Sequence, residues 1–359
     1  MNHKYLIILL FSLNQSYGQM PFQKNNSVLI ESQYVYHMNM RNIFKQSITN
    51  NDVENQFHLK EHTYILDSIY NYTINRQKSW DDSTKLNCKK AIQRSAIFVN
   101  LGFQNGHLFA LLQYEKKYIQ YAEVFYALIE FDQDLNYLNF YIKPKYNINE
   151  VNNIINGLTF NDGKLWLIDY SKQLYLQAYH LNPKKHFLEA GKDTFHIKPL
   201  INNYPYNIQI MANQRYVTSP IFKSVFHQQN IYIAQFPFTL LLDIQTKKRV
   251  DISISEKEYL EQIIKQDLNN QAIEKSEAPL NPSLLAVDNF NQLTTLLTYD
   301  SLTRKLMLYE FNIAMKIEKI SSFTLNEWLP NTYYALKGNK VYELKKNGQY
   351  FNITLLAFS

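Results

Sequence analysis

Leu128-Ile129-Glu130-Phe131-Asp132 runs apolar, apolar, polar, apolar, polar, and this five-residue order returns five more times in the chain. The other copies are Val35-Tyr36-His37-Met38-Asn39, Ala178-Tyr179-His180-Leu181-Asn182, Leu241-Leu242-Asp243-Ile244-Gln245, Leu308-Tyr309-Glu310-Phe311-Asn312 and Val341-Tyr342-Glu343-Leu344-Lys345. Most copies run into turns rich in Lys, Asn or Gly. A strand that ends the same way repeatedly marks one supersecondary unit used many times, which predicts an all-β repeat architecture, most simply a propeller.

Working outward from these copies, Ile154 to Phe160, a turn at Asn161-Asp162-Gly163, Leu165 to Tyr170 and Leu174 to Leu181 read as three strands of a meander, with a fourth near Phe195. Asp-Gly is a strong hairpin signal. Comparable units span 231–244, 283–311 and 332–358, and Ala96-Ile97-Phe98-Val99 opens a further hairpin through Gln104-Asn105-Gly106. The copies are spaced by 93, 50, 63, 67 and 33 residues. One four-stranded blade takes about 40–50 residues, so the expectation is six blades of antiparallel meanders, with five or seven also fitting. Both termini read as strands, which suggests one blade shared between them to close the ring.

The stretch 41–82 fits helical and alternating spacing about equally, and 78–90 is polar and reads as a loop. One helix is well marked. Ser255 and Glu258 form a capping box, and Tyr259, Leu260, Ile263, Ile264 and Leu268 share a face, so a helical insertion is expected at about 255–270.

Lys4 precedes an apolar run from Tyr5 to Leu13, and Ser16 and Gly18 then stand two apart. This predicts a secretory signal peptide over 1–18, with the propeller domain over 19–359 and a secreted or periplasmic location. No later stretch reaches 18 apolar residues, so no transmembrane helix is expected. Cys88 is the sole cysteine, which rules out an internal disulfide, and none stands at the cleavage site for a lipid anchor. The net charge of +6 comes from scattered short clusters such as Lys247-Lys248-Arg249. These suit solvated hairpin tips and do not predict nucleic-acid binding. The 28 Tyr and 22 Phe suit half-buried pleated surfaces.

Asn161-Asp162-Gly163-Lys164-Leu165-Trp166-Leu167, with the signal peptide and the repeated meanders, resembles the secreted six-bladed β-propellers of Bacteroidetes-type bacteria, the TolB-like six-bladed superfamily. The resemblance is architectural, covers roughly 28–359, and implies no particular functional residue.

Chemistry is sparse. His58-Leu59-Lys60-Glu61-His62 matches H-x-x-E-H, which on a helix would place two imidazoles on one face for zinc, but residues 136–142 offer no third acidic ligand. The polar members of the repeat, His37, Glu130, His180, Asp243, Glu310 and Glu343, alternate with apolar neighbours and read as solvent-facing or inter-blade positions; near a central channel, acids of this kind hold a divalent metal in some propeller hydrolases. Cys88 lies among lysines that would favour its thiolate, yet it has no His partner. Trp80 and Trp328 lie beside turn-like residues and are the candidate ligand-binding positions. No G-x-S-x-G elbow or glycine-rich phosphate loop occurs, no cofactor is called for, and neither catalytic nor metal residues can be named. The expectation is a secreted, non-enzymatic interaction protein taking a protein or carbohydrate ligand. The alternative is a propeller hydrolase or lactonase with a central divalent metal.

Overall fold

The computed structural model describes residues 28–73, 80–117, 122–143, 154–161, 163–170, 174–196, 222–227, 230–235, 240–243, 246–247, 249–251, 283–300, 303–314, 316–326 and 332–359. The expected signal peptide, the helix at 255–270 and Trp328 lie outside them.

The described residues form six consecutive antiparallel meanders. The first contains β1 (Val28–Glu31), β2 (Tyr34–Asn39), β3 (Asn42–Ser47) and β4 (Val53–His58). The second contains β5 (Ile97–Gln104), β6 (His107–Lys117), β7 (Ala122–Phe131) and β8 (Tyr137–Ile142). The third is β9 (Ile154–Asn161), β10 (Lys164–Tyr170), β11 (Leu174–Asn182) and β12 (Phe187–His196). The fourth is β13 (Phe222–His227), β14 (Asn230–Gln235), β15 (Leu240–Asp243) and β16 (Arg249–Asp251). The fifth is β17 (Ser283–Phe290), β18 (Leu293–Asp300), β19 (Lys305–Phe311) and β20 (Ile317–Thr324), and the sixth has three strands, β21 (Thr332–Lys337), β22 (Lys340–Asn347) and β23 (Tyr350–Leu356). The first strand of each meander touches the first strand of the next, and β21 touches β1. Sequential meanders converging by their first strands make the fold an all-β propeller.

The repeated pattern has a local cause. It ends the third strand of meanders two to five and occupies the second strand of the first and last. In four of the copies the final polar residue caps the turn that follows. Asp132 accepts the backbone N–H groups of Asp134 and Asn136, each at 2.8 Å. Asn312 accepts those of Ala314 and Lys316 at 3.0 Å, and Asn182 that of Lys185 at 3.0 Å. Asn39 accepts from the Asn42 amide at 2.9 Å. Short polar side chains that replace a missing backbone partner favour turns over continued strand.

Two helices, α1 (Thr63–Thr73) and α2 (Asp82–Ser95), stand between the first and second meanders. The expected loop at 78–90 is therefore corrected to helix from Asp82. Asp81 caps it, accepting the Thr84 N–H at 2.7 Å. Only Cys88 and Ile92 on α2 are buried, a stripe too narrow to register as helical periodicity. Both helices share a core with Tyr36, Ile43 and Phe57 of the first meander and with Leu108, Ala110 and Leu112 of β6. The alternate β6 residues, Phe109 and Leu111, pack against Leu165, Leu167 and Tyr179 of the third meander. A strand buried on both faces thus reads as an unbroken apolar run. Among the described residues, no helix is long and apolar enough to cross a membrane.

The second and third meanders join into one eight-stranded sheet. Phe187 of β12 pairs in parallel with Ile142 of β8, and the Ile142 N–H donates to His186 O at 2.8 Å. The sixth meets the first differently. Among the described residues neither terminus lends a strand to the other, so the expected shared blade is not found there. Instead, the fully buried Gln46 amide of β3 donates to Phe351 O and accepts the Phe351 N–H at 3.1 Å. Asn51 accepts the Ile353 N–H, also at 3.1 Å. Two side-chain amides thus occupy bonding positions that an added strand would take on the edge of β23.

Candidate functional site

A connected polar group lies on the second meander and runs to its join with the third. Asn105 and Gly106 both take positive φ, 52° and 81°, which makes the tight hairpin that starts β6 at His107. In register, Glu130 stands opposite Asn139, and Leu128 opposite Tyr141. Strand alternation brings Glu130, Asn139 and Tyr141 to one face. His107 Nδ1 lies 2.6 Å from Glu130 Oε1, and the Tyr141 hydroxyl donates to Glu130 Oε2 at 2.6 Å. The Glu130 side chain is 12% exposed and that of His107 44%.

The electrostatics follow from this packing. Burial, reinforced by the Glu130 carboxylate, pushes the Tyr141 phenol well above its ordinary range, so it stays a donor. A carboxylate can only accept, so the His107 proton sits on Nδ1 and Nε2 is left as the working atom. A half-exposed imidazole held by a nearly buried carboxylate can accept a hydrogen bond from a ligand, or take a proton from one.

The contacts continue around the edge of β8. Asn139 interacts with the Tyr141 phenol, and its Oδ1 lies 2.8 Å from His186 Nδ1. The His186 ring stacks on Phe140 at 4.6 Å and 6°, and Tyr72 of α1 meets it edge-on at 5.4 Å. Tyr72 also donates its hydroxyl to Lys185 O. About two turns earlier on α1, Tyr64 meets Tyr137 at 5.7 Å and is exposed, as is Leu138. A polar chain from His107 to His186 therefore joins an aromatic shelf built by α1.

Few of the residues singled out in the sequence meet here. Glu130 does. Trp80 is half-buried and packs against the core shared with the helices. His58 ends β4 and bonds Asn42 at 2.8 Å, while His62 stacks on Phe57 at 4.5 Å. The residues between them form a turn, which removes the helix that a zinc motif requires. Cys88 is fully buried in α2. His37 is buried between Phe44 and Phe351, and Asp243 accepts from Thr246 in its own turn. Glu310 is buried and Glu343 pairs with Lys345 at 2.9 Å, whereas His180 is exposed. Among the described residues, no three His, Cys, Asp or Glu side chains converge where a metal ion would sit. His107 was not legible as a site residue: it lies 23 positions from Glu130 and looks like an ordinary strand opening.

No family model matches the chain, and no curated protein matches it. Solved structures do. A putative 6-phosphogluconolactonase from Bacteroides fragilis is 11% identical with a TM-score of 0.35, over 93% of this chain and 82% of that one. The WD40 domain of SCAP from fission yeast is 5% identical with a TM-score of 0.31, over 89% and 66%. Dihydro-heme d1 dehydrogenase NirN is 8% identical with a TM-score of 0.33, over 90% and 54%. This chain therefore spans only about half the length of that last protein. With every one of these TM-scores below 0.5, the fold rests on the strand connectivity and the function on the side chains.

Proposed function

We infer that the chain is an extracytoplasmic binding protein whose six meanders are the six blades of a closed propeller. The closed circuit of first-strand contacts supports the blade count. The apolar run Tyr5–Leu13 with Ser16 and Gly18 supports export and removal of 1–18. The observation that carries the binding role is the half-exposed His107, fixed by Glu130, at the head of a polar chain that ends at the aromatic contact of His186 with Tyr72. Such a surface offers a directional hydrogen bond beside apolar area, which suits a protein loop or a saccharide.

One observation favours a second reading. The His107–Glu130 pair has the geometry of a general base and its orienting carboxylate, so hydrolysis of an ester or lactone by activated water is the competing function. One experiment separates the two. Wild type and His107→Gln are compared on peptide and glycan arrays and in an ester and lactone hydrolysis screen. Array binding lost in the variant, with no wild-type hydrolysis, supports the binding role. Hydrolysis that disappears in the variant replaces it with the enzyme. Array binding equal in both proteins, without hydrolysis, removes His107 from the function.

A further inference from the structure

The seam between the sixth and first meanders holds a titratable group that the proposed site does not use. His37 on β2 is 3% exposed. Its ring stacks on Phe44 at 5.0 Å and meets Phe351 edge-on at 4.7 Å, and its Nε2 has no hydrogen-bond partner. Gln46, whose amide grips the Phe351 backbone, also interacts with this imidazole. From β22 the facing charge is Lys346, a cation. The β3 and β23 neighbours Phe44, Gln46 and Phe351 carry no charge, and beyond Phe44 stand His58 and Tyr350.

We propose that His37 makes this seam an acid-sensitive latch, whose protonation frees β23 from Gln46 and Asn51 while the rest of the fold persists. A protonated ring would bring a second N–H into a place with no acceptor and face a like charge. Opening the seam hydrates the imidazolium and uncovers the Phe351 and Ile353 edge groups. The direction agrees with the electrostatics: burial, with Lys346 adding to it and Gln46 opposing, lowers the imidazole to about 4. The native seam holds the neutral ring, so its contribution is complete above the ordinary histidine range. It is lost progressively as pH falls from about 6.5 towards 4.

The test is hydrogen exchange of the purified protein at pH 7 and 4.5, corrected for intrinsic rates. Segment 350–356 reports the seam and segment 164–170 a distant strand. Protection of 350–356 should fall by on the order of tenfold or more at the lower pH, with 164–170 little changed. His37→Phe should retain protection at both pH values, and Gln46→Ala should lose it at both. Unchanged protection of 350–356 in wild type, parallel loss in 164–170, or an equal fall in His37→Phe overturns the latch. If His37→Phe does not fold, the two wild-type segments decide.

Discussion

Two junctions join neighbouring meanders by opposite means. Between the second and third, backbone meets backbone: β8 and β12 pair directly, and Tyr72 of α1 buttresses the join. Between the sixth and first, a three-stranded meander meets a four-stranded one, and the side chains of Gln46 and Asn51 satisfy its edge. The first kind of join is set by the chain path and tolerates many side chains. The second adds the amides of Gln46 and Asn51 to an apolar cluster that Ile30 and Val35 share with Leu344 and Ile353, and places a neutral imidazole beside those amides. Side-chain closure is thus the more fragile of the two to substitution, and the only one of the pair with a buried histidine at its centre.

The largest expected effect is therefore at Gln46. Removing its amide in Gln46→Ala strands the buried N–H and C=O of Phe351, at about 3 kcal/mol for the two groups. Thermal and guanidinium melts should show the loss. A change below about 1 kcal/mol would mean that the seam is held by its apolar contacts instead. At the other junction, Tyr72→Ala removes a half-buried ring that touches Phe140, His186 and Phe187. The expectation is about 2 kcal/mol, below the range for fully buried aromatics. A loss there larger than at Gln46 would reverse the comparison.

A third junction, between the first and second meanders, depends on the capped turn after β7. Asp132 organises residues 133–136, from which Gln133 O accepts the Tyr36 hydroxyl at 3.1 Å. Burial opposes the charge of Asp132, but donors from Asn136 and Asp134 outweigh it and hold the carboxyl below its ordinary range. That contribution is present at neutral pH and is lost as pH falls through the lowered value. Asp132→Ala should cost about 1 kcal/mol by leaving the turn N–H groups without their acceptor. Asp132→Asn keeps an acceptor oxygen and should lose less than half of that in the same melts.

These cases also mark what was readable in advance. The apolar-polar order ending in Asp or Asn was legible because turn capping is local: Asp132, Asn182 and Asn312 bond within a few residues of themselves. The Lys78–Lys90 stretch was misread because α2 buries only Cys88 and Ile92, and its other positions are polar enough for a loop. The candidate site was mostly hidden. His107, Glu130, Tyr141 and His186 come from separate strands and turns, and only register brings them together. Gln46 gave no signal either, since nothing local distinguishes an amide that grips residue 351 from one that meets water.

The smallest effect should come from the most conspicuous ion pair. Lys45 is almost fully buried, 2.8 Å from Asp134 and 3.6 Å from Glu54, with its ammonium 4.0 Å from the centroid of the Tyr34 ring. A buried pair broken on one side is costly when the surviving charge stays buried. Here the partners differ: the Asp134 side chain is 66% exposed and that of Glu54 39%, so water solvates both carboxylates once the cation is gone. Methionine would keep the apolar stem against Tyr34 and remove the desolvation cost of the ammonium. Lys45→Met should therefore change stability by less than about 1 kcal/mol. Lys45→Ala, which also empties the space beside Tyr34, should cost more. If Lys45→Met proves as damaging as Gln46→Ala, the junction between the first and second meanders depends on charge as that between the sixth and first depends on amides, and the contrast between backbone-paired and side-chain-paired joins would have to include it on the fragile side.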